Sequence, residues 1–152
     1  TTAEFCARTE AKEPTLTFAI ITCSDTRDEA QDTAGTALKE RIAAKGWQCA
    51  FYTLIKDDRE EISSAIVHAA DMPEVDIVLT CGGTGLSLRD VTPEATRDVC
   101  DREVPGIAEG MRAYSLQLGG CSRSLAPCCV YDGRLWTLVP IPSARLATFF
   151  ME

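Results

Sequence analysis

Histidine is almost missing from this chain. His68 is the only one, and no spaced cluster of Cys and His accompanies it, so a structural zinc site has no ligand set to draw on. His68 falls within a helical pattern, where a surface or helix-packing role is expected. Basic residues are also in deficit: fifteen Lys and Arg stand against twenty-three Asp and Glu, giving a formal net charge of −8. No run of Lys or Arg forms a track for a phosphate backbone, and this argues against nucleic-acid binding. There is no apolar stretch long enough to span a bilayer and no signal-peptide pattern, so a cytoplasmic protein without membrane attachment is expected. The eight cysteines include no C-x-x-C pair. They fall on apolar segments (Cys23, Cys49, Cys81, Cys100) and on the pair Cys128–Cys129, which favours buried, reduced thiols over a disulfide framework.

What is present is a repeating pattern of strand and helix. At 152 residues and 45% hydrophobic, the chain can fill one core but not two comfortable domains. Residues 15–152 are therefore read as a single domain, preceded by a charged, flexible arm over residues 1–14. Leu16 to Cys23 is a short apolar run with β-branched residues, which predicts a strand buried on both faces. Ala37, Leu38, Ile42 and Ala43 then recur at helical spacing before Gly46. The unit repeats as a strand from Gln48 to Ile55, a helix from Glu60 to Ala70, and a third strand from Val75 to Cys81. A further helix is predicted from Pro105 or Gly106 to about Leu118, and Asp132-Gly133 predicts a two-residue hairpin turn. The expected fold is α/β: a three-layer domain with a mostly parallel sheet, helices on both faces and an antiparallel edge hairpin. Ligands of such sheets bind at the carboxyl ends of the strands, where Ser24-Asp25, Asp57-Asp58 and Gly82 to Gly85 all fall.

The third of these loops is the most informative. Leu79 to Thr96 reads LTCGGTGLSLRDVTPEAT, with three glycines in four residues, then Arg89-Asp90, then a helix start in which Thr92 is the expected N-cap and Pro93 the first helical residue. A glycine loop can turn backbone N–H groups toward an anion, and Thr84 adds a hydroxyl. No Gly-Lys-Ser/Thr follows, so it is not a P-loop, and the glycines are wrongly spaced for a dinucleotide fingerprint. A plain tight turn is the competing reading. The Arg89-Asp90 pair favours a ligand, because it is well sited to contact a phosphate and a metal ion.

The stretch from Thr80 to Arg112, TCGGTGLSLRDVTPEATRDVCDREVPGIAEGMR, closely resembles the molybdenum-cofactor biosynthesis family of MogA/MoaB type, which includes the G domains of gephyrin and plant cofactor synthases. Cys23-Ser24-Asp25, Asp32-Thr33-Ala34-Gly35 and Leu54 to Asp58 resemble further elements of that family. The resemblance implies a molybdopterin-binding domain and an adenylyltransferase, in which the molybdopterin phosphate attacks the α-phosphorus of ATP and pyrophosphate leaves. It implies Asp57 and Asp90 as the catalytic acids and Mg²⁺ ligands, and Ser24, Asp25, Gly82, Gly83, Thr84, Gly85 and Glu109 as substrate-binding residues. It also implies a homotrimer and a partner protein that inserts molybdenum. From the residues alone, other readings stay open. Asp57 or Asp58 could cap the second helix, Asp90 could pair with Arg89 or Arg97, Asp25 could form a turn, and Glu109 could lie on a solvated helix face.

Downstream the pattern changes. The segment Val139-Pro140-Ile141-Pro142-Ser143 has prolines where the family has a Pro-Gly turn, and Ser122-Arg123 only partly matches its Ser-Arg pair. That change keeps a second reading in play, a catalytically impaired molybdopterin-binding carrier or scaffold subunit. Trp136, Phe149, Phe150 and Met151 near the end of the chain are either core residues or a subunit contact.

Overall fold

The computed structural model describes residues 15–117 and the backbone of residues 129–131 and 134–136. The expected N-terminal arm, Ser122-Arg123, the Pro140 to Ser143 segment, the Phe149 to Met151 cluster and the side chain of Trp136 lie outside the described residues.

The elements run in the order β1 (Thr17–Cys23), α1 (Thr33–Ala44), β2 (Gln48–Ile55), α2 (Arg59–Ala70), β3 (Ile77–Cys81), α3 (Thr92–Val99), β4 (Arg102–Glu103), α4 (Pro105–Gln117), β5 (Cys129–Tyr131) and β6 (Arg134–Trp136), with a 3-10 turn at Glu29–Gln31. The first three strands form a parallel sheet in the order β2-β1-β3. β1 is therefore central, and its near-continuous burial explains why its sequence is apolar throughout. Alternate side chains of β1 divide between two cores. Phe18 and Ile20 pack with Leu38 and Ile42 of α1 and with Ala108 and Met111 of α4. Ala19, Ile21 and Cys23 pack with Ile62, Ile66 and Ala69 of α2 and with Ala95 of α3. The result is the expected three-layer α/β arrangement.

A bulge in β2 keeps both faces of the edge strand in use. Phe18 pairs with Cys49 and Ala19 with Phe51, so Ala50 is the extra residue. Cys49 then faces the α1/α4 layer while Phe51 faces the α2/α3 layer, where it meets the ring of exposed His68 edge-on. Beyond the glycine loop, β4, β5 and β6 form a second, antiparallel sheet in that order. The expected hairpin exists, but among the described residues its ladder partner is β4 rather than an edge of the parallel sheet.

Cys23, Cys49 and Cys81 carry free thiols. Burial pushes the Cys23 thiol up to about 12 and the Cys81 thiol higher still, so neither is a nucleophile at neutral pH. Cys100 departs from the expectation of reduced thiols, because it is disulfide-bonded. It caps the C-terminal end of α3 and is only half-buried, unlike the enclosed Cys23 and Cys81.

Candidate functional site

Strand register builds the site. Cys23 pairs with Ile55, and Thr22 pairs with Cys81, so the three parallel strands end at nearly one level. The residues that follow them, Ser24-Asp25, Lys56-Asp57 and Gly82-Gly83, therefore emerge side by side. The Ser24 N–H extends the ladder by one rung, donating to Ile55 O at 2.9 Å. Its hydroxyl accepts from Arg27 N–H at 3.2 Å and so shapes the turn that carries Asp25.

The glycines have a specific steric reason at two positions. Gly82 has φ +91°, and a Cβ there would lie 2.1 Å from the Cys23 carbonyl oxygen. Gly83 has φ +60°, and its Cβ would meet Thr92 Oγ1 at 2.4 Å and Asp57 Oδ1 at 2.7 Å. The loop is thus pressed against the end of β1 on one side and against Asp57 and the start of α3 on the other. Gly85 lies in the same way against the Asp90 carboxylate, and Thr84 between them is buried.

Four charged side chains surround this loop. Arg89 pairs with Asp25 across 64 residues of sequence, and Asp25 also accepts from the Asp57 N–H at 3.2 Å. These two donors hold the Asp25 carboxyl below the usual carboxylate range. Asp57 shifts the opposite way. Burial, then the charge of Asp25 and that of Asp90, raise it, and a backbone hydrogen bond from Asp25 together with the charge of Arg89 only partly offsets them. Asp90 Oδ2 accepts from the Ser87 N–H at 3.3 Å.

Several readings left open by the sequence are resolved here. Asp58, not Asp57, caps α2, accepting from Glu61 N–H at 2.9 Å. Asp90 has neither arginine as its partner, because Arg89 pairs with Asp25 and Arg97 pairs with Glu103 at 2.9 Å. Asp25 does more than turn the chain, since it links Arg89 to Asp57. Glu109 is exposed on α4 and makes no hydrogen bond or ion pair among the described residues. One expectation is corrected: Thr92 is the first helical residue of α3, Val91 occupies the N-cap, and no side chain caps this end. Thr92 turns its hydroxyl inward toward the glycine loop instead, and its N–H donates to Gly83 O at 3.0 Å.

A supporting residue that no catalytic pattern singles out is Asp32. It is buried at 1% exposure and accepts from the Thr22 hydroxyl at 2.7 Å, the Tyr52 hydroxyl at 2.8 Å and the Gly35 N–H at 2.9 Å. Burial alone would raise its carboxyl, but these three donors outweigh that and leave it below the usual range. One carboxylate thus caps α1 and ties together β1 and β2, the two strands that deliver Asp25 and Asp57. In the sequence it stands just before an amphipathic helix, within the Asp32-Thr33-Ala34-Gly35 element of the family resemblance.

Among the described residues, no group of three or more His, Cys, Asp and Glu side chains is placed to hold a metal ion by itself. Mg²⁺ brought in with a polyphosphate needs fewer protein ligands, commonly one or two carboxylates completed by phosphate oxygens and water. Asp57 and Asp90 meet that requirement: both lie against the glycine loop, and neither has an ion-pair partner among the described residues.

Comparison with known proteins agrees with this geometry. The family described as "Probable molybdopterin binding domain" matches residues 19–149. The chain belongs to that family. Molybdenum cofactor biosynthesis protein B of Halalkalibacterium halodurans is 41% identical over 103 residues, covering 68% of this chain and 61% of the relative. A molybdopterin adenylyltransferase of Helicobacter pylori is 34% identical over 107 residues, with the same two coverages. The chain spans about six-tenths of the length of these curated relatives. A crystal structure of a molybdenum cofactor biosynthesis protein B superposes with a TM-score of 0.81 at 34% identity, covering 90% of this chain and 88% of that one. Among the described residues, no helix is long and apolar enough to cross a membrane.

Proposed function

We propose that this protein is a molybdopterin adenylyltransferase that uses Mg-ATP. The observation that carries the reading is the pair Asp57 and Asp90, two carboxylates with no ion-pair partner among the described residues, both against a glycine loop that is itself suited to phosphate. In the reaction, a terminal phosphate oxygen of molybdopterin attacks the α-phosphorus of ATP. The new P–O bond forms as the bond to the β-phosphate's bridging oxygen breaks, giving adenylyl-molybdopterin and pyrophosphate. Asp57 and Asp90 are the residues that would hold Mg²⁺, and the chemistry a bound Mg²⁺ supplies is neutralisation of phosphate charge.

The chain's own groups do the rest. Gly82, Gly83 and Gly85 let the backbone come close to a phosphate, and the Thr84 hydroxyl lies within the same turn. Arg89, with its side chain 77% exposed, is a cation of the cluster and can reach an incoming phosphate while Asp25 holds its other side. Ser24 and Asp25 line the edge next to Asp57. Positioning and electrostatics of this kind supply most of the rate in phosphoryl-group transfer. We further place the protein in the cytoplasm, as a homotrimer that passes its product to a partner protein inserting molybdenum.

Incubation with molybdopterin, ATP and Mg²⁺ tests the activity, with adenylyl-molybdopterin and pyrophosphate as the expected products. Pterin bound tightly with neither product formed would establish the carrier reading instead, and no pterin binding the scaffold reading. Sedimentation equilibrium tests the assembly: a species near three times the 16.5 kDa chain mass is expected, and a concentration-independent monomer refutes it.

A further inference from the structure

Two buried polar atoms beneath the glycine loop lack a well-formed hydrogen bond. Asp57 Oδ1 and Thr92 Oγ1 are both shielded from solvent; Asp57 Oδ1 has no partner, and the Thr92 hydroxyl has only the weakly accepting Cys23 thiol near it. Buried polar atoms are paired in the great majority of cases, so each such exception calls for an explanation. These two flank the same point. A Cβ on Gly83 would stand 2.4 Å from Thr92 Oγ1 and 2.7 Å from Asp57 Oδ1, so the oxygens are at most about 5 Å apart, the sum of those distances. One is a hydroxyl that can donate and the other a carboxylate oxygen that can only accept. A side-chain rotation or a single bridging water closes such a gap.

We propose that Thr92 is a positioning residue for Asp57. Its hydroxyl, held under Gly83 by the turn into α3, serves the inner carboxylate oxygen directly or through one water. Asp57 is thereby fixed in one orientation, with its second oxygen left for the phosphates and their metal ion. Thr92 is well placed for this because its own N–H bonds Gly83 O, which ties the residue to the glycine loop. It also explains why Thr92 does not cap its helix. Serine at this position would keep the function, and valine, of nearly the same shape, would remove it.

The catalytic part rests on the adenylyltransferase reading, and the pairing does not, so the test has two arms. In urea unfolding, Thr92→Val, Asp57→Ala and the double variant form a cycle. Coupling of at least fivefold in the unfolding equilibrium constant is expected, and additive effects overturn the pairing. In steady-state assays, Thr92→Val should lower kcat about tenfold with KM for ATP changed less than twofold, and Thr92→Ser should recover most of the rate. Wild-type kcat in Thr92→Val, or a Thr92→Ser variant as slow as the valine one, overturns the positioning role. If the wild-type protein transfers no adenylyl group, the functional reading fails and the cycle still decides the pairing. Should Thr92→Val not fold, a crystal structure of the wild-type protein decides it. Thr92 Oγ1 bonded to Asp57 Oδ1, or joined to it by one water, is expected, and separate partners for the two atoms overturn the proposal.

Discussion

Replacing Asp32 with alanine should bring the domain close to unfolding, although Asp32 touches none of the groups around the glycine loop. The carboxylate takes three hydrogen bonds, from Thr22, Tyr52 and Gly35, and each bond to a charged group is worth about 1.5–3 kcal/mol. Tyr52 is only half-buried and can turn to water, so its share is discounted. The Thr22 hydroxyl, on a residue exposed by 1%, and the Gly35 N–H at the start of α1 are left without an acceptor. Two bonds fully lost give about 3–6 kcal/mol, against a typical domain stability of about 5–15 kcal/mol. Asp32→Asn keeps one acceptor oxygen and should cost about 1–3 kcal/mol. Urea unfolding followed by Trp47 fluorescence suits the measurement, because Trp47 stacks on Phe18 in the same layer. Thr22→Val should cost about 1.5–3 kcal/mol in the wild-type protein and almost nothing in an Asp32→Ala background. A loss below about 1 kcal/mol in Asp32→Ala, or strict additivity with Thr22→Val, would refute the hub. The pH dependence carries a second check. Asp32 sits below its ordinary value when folded, so its stabilisation is complete above the unfolded pKa of about 3.9 and is lost as pH falls through the lower folded value. The stability gap between wild type and Asp32→Asn should therefore close only on strong acidification.

Three further outcomes are expected. Asp90→Asn should leave the melting temperature nearly unchanged and slow adenylyl transfer about a hundredfold, roughly 2.7 kcal/mol of transition-state stabilisation; near-normal turnover would exclude a metal-holding role. Asp57→Asn should also lose activity but stabilise the fold. Burial and two neighbouring carboxylates raise the folded pKa of Asp57, so its charged form destabilises the native state once pH passes the folded value, and an amide removes that penalty. A lower melting temperature at pH 7 would contradict this account. Gly82→Ala should cost about 3 kcal/mol or more, because its Cβ meets the Cys23 carbonyl oxygen and its φ is positive. Wild-type stability in that variant would mean the loop is free to move away from β1.

Much of this arrangement was legible in the sequence, for identifiable reasons. Apolar runs and helical spacing mark β1, β2 and the helices, because burial on both faces leaves no room for polar residues in the central strand. The convergence of Asp25, Asp57 and the glycine loop follows from parallel strands ending level. Other features depend on contacts between segments distant in sequence. No local pattern distinguishes Asp57 from Asp58, and only the folded chain shows which carboxylate takes the Glu61 N–H. The Arg89–Asp25 pair likewise joins two loops 64 residues apart in sequence. Thr92 carries every local sign of an N-cap, and its hydroxyl is drawn inward by the loop that packs above it.

The central place of β1 restricts how this protein can change. Seven residues supply the inner wall of both cores at once, with Phe18 and Ile20 on one side and Ala19, Ile21 and Cys23 on the other. Deleting or inserting one residue there would exchange the two sides, pressing Phe18 toward α2 and α3 and bringing the small Ala19 opposite α1 and α4. The same slip would carry Asp25 out of reach of Arg89. Length variation in descendants of this sequence should therefore collect in the loops and at the solvent ends of the helices. Within β1 itself, substitutions should arise as compensated exchanges with the facing helix on one side, leaving the opposite core undisturbed.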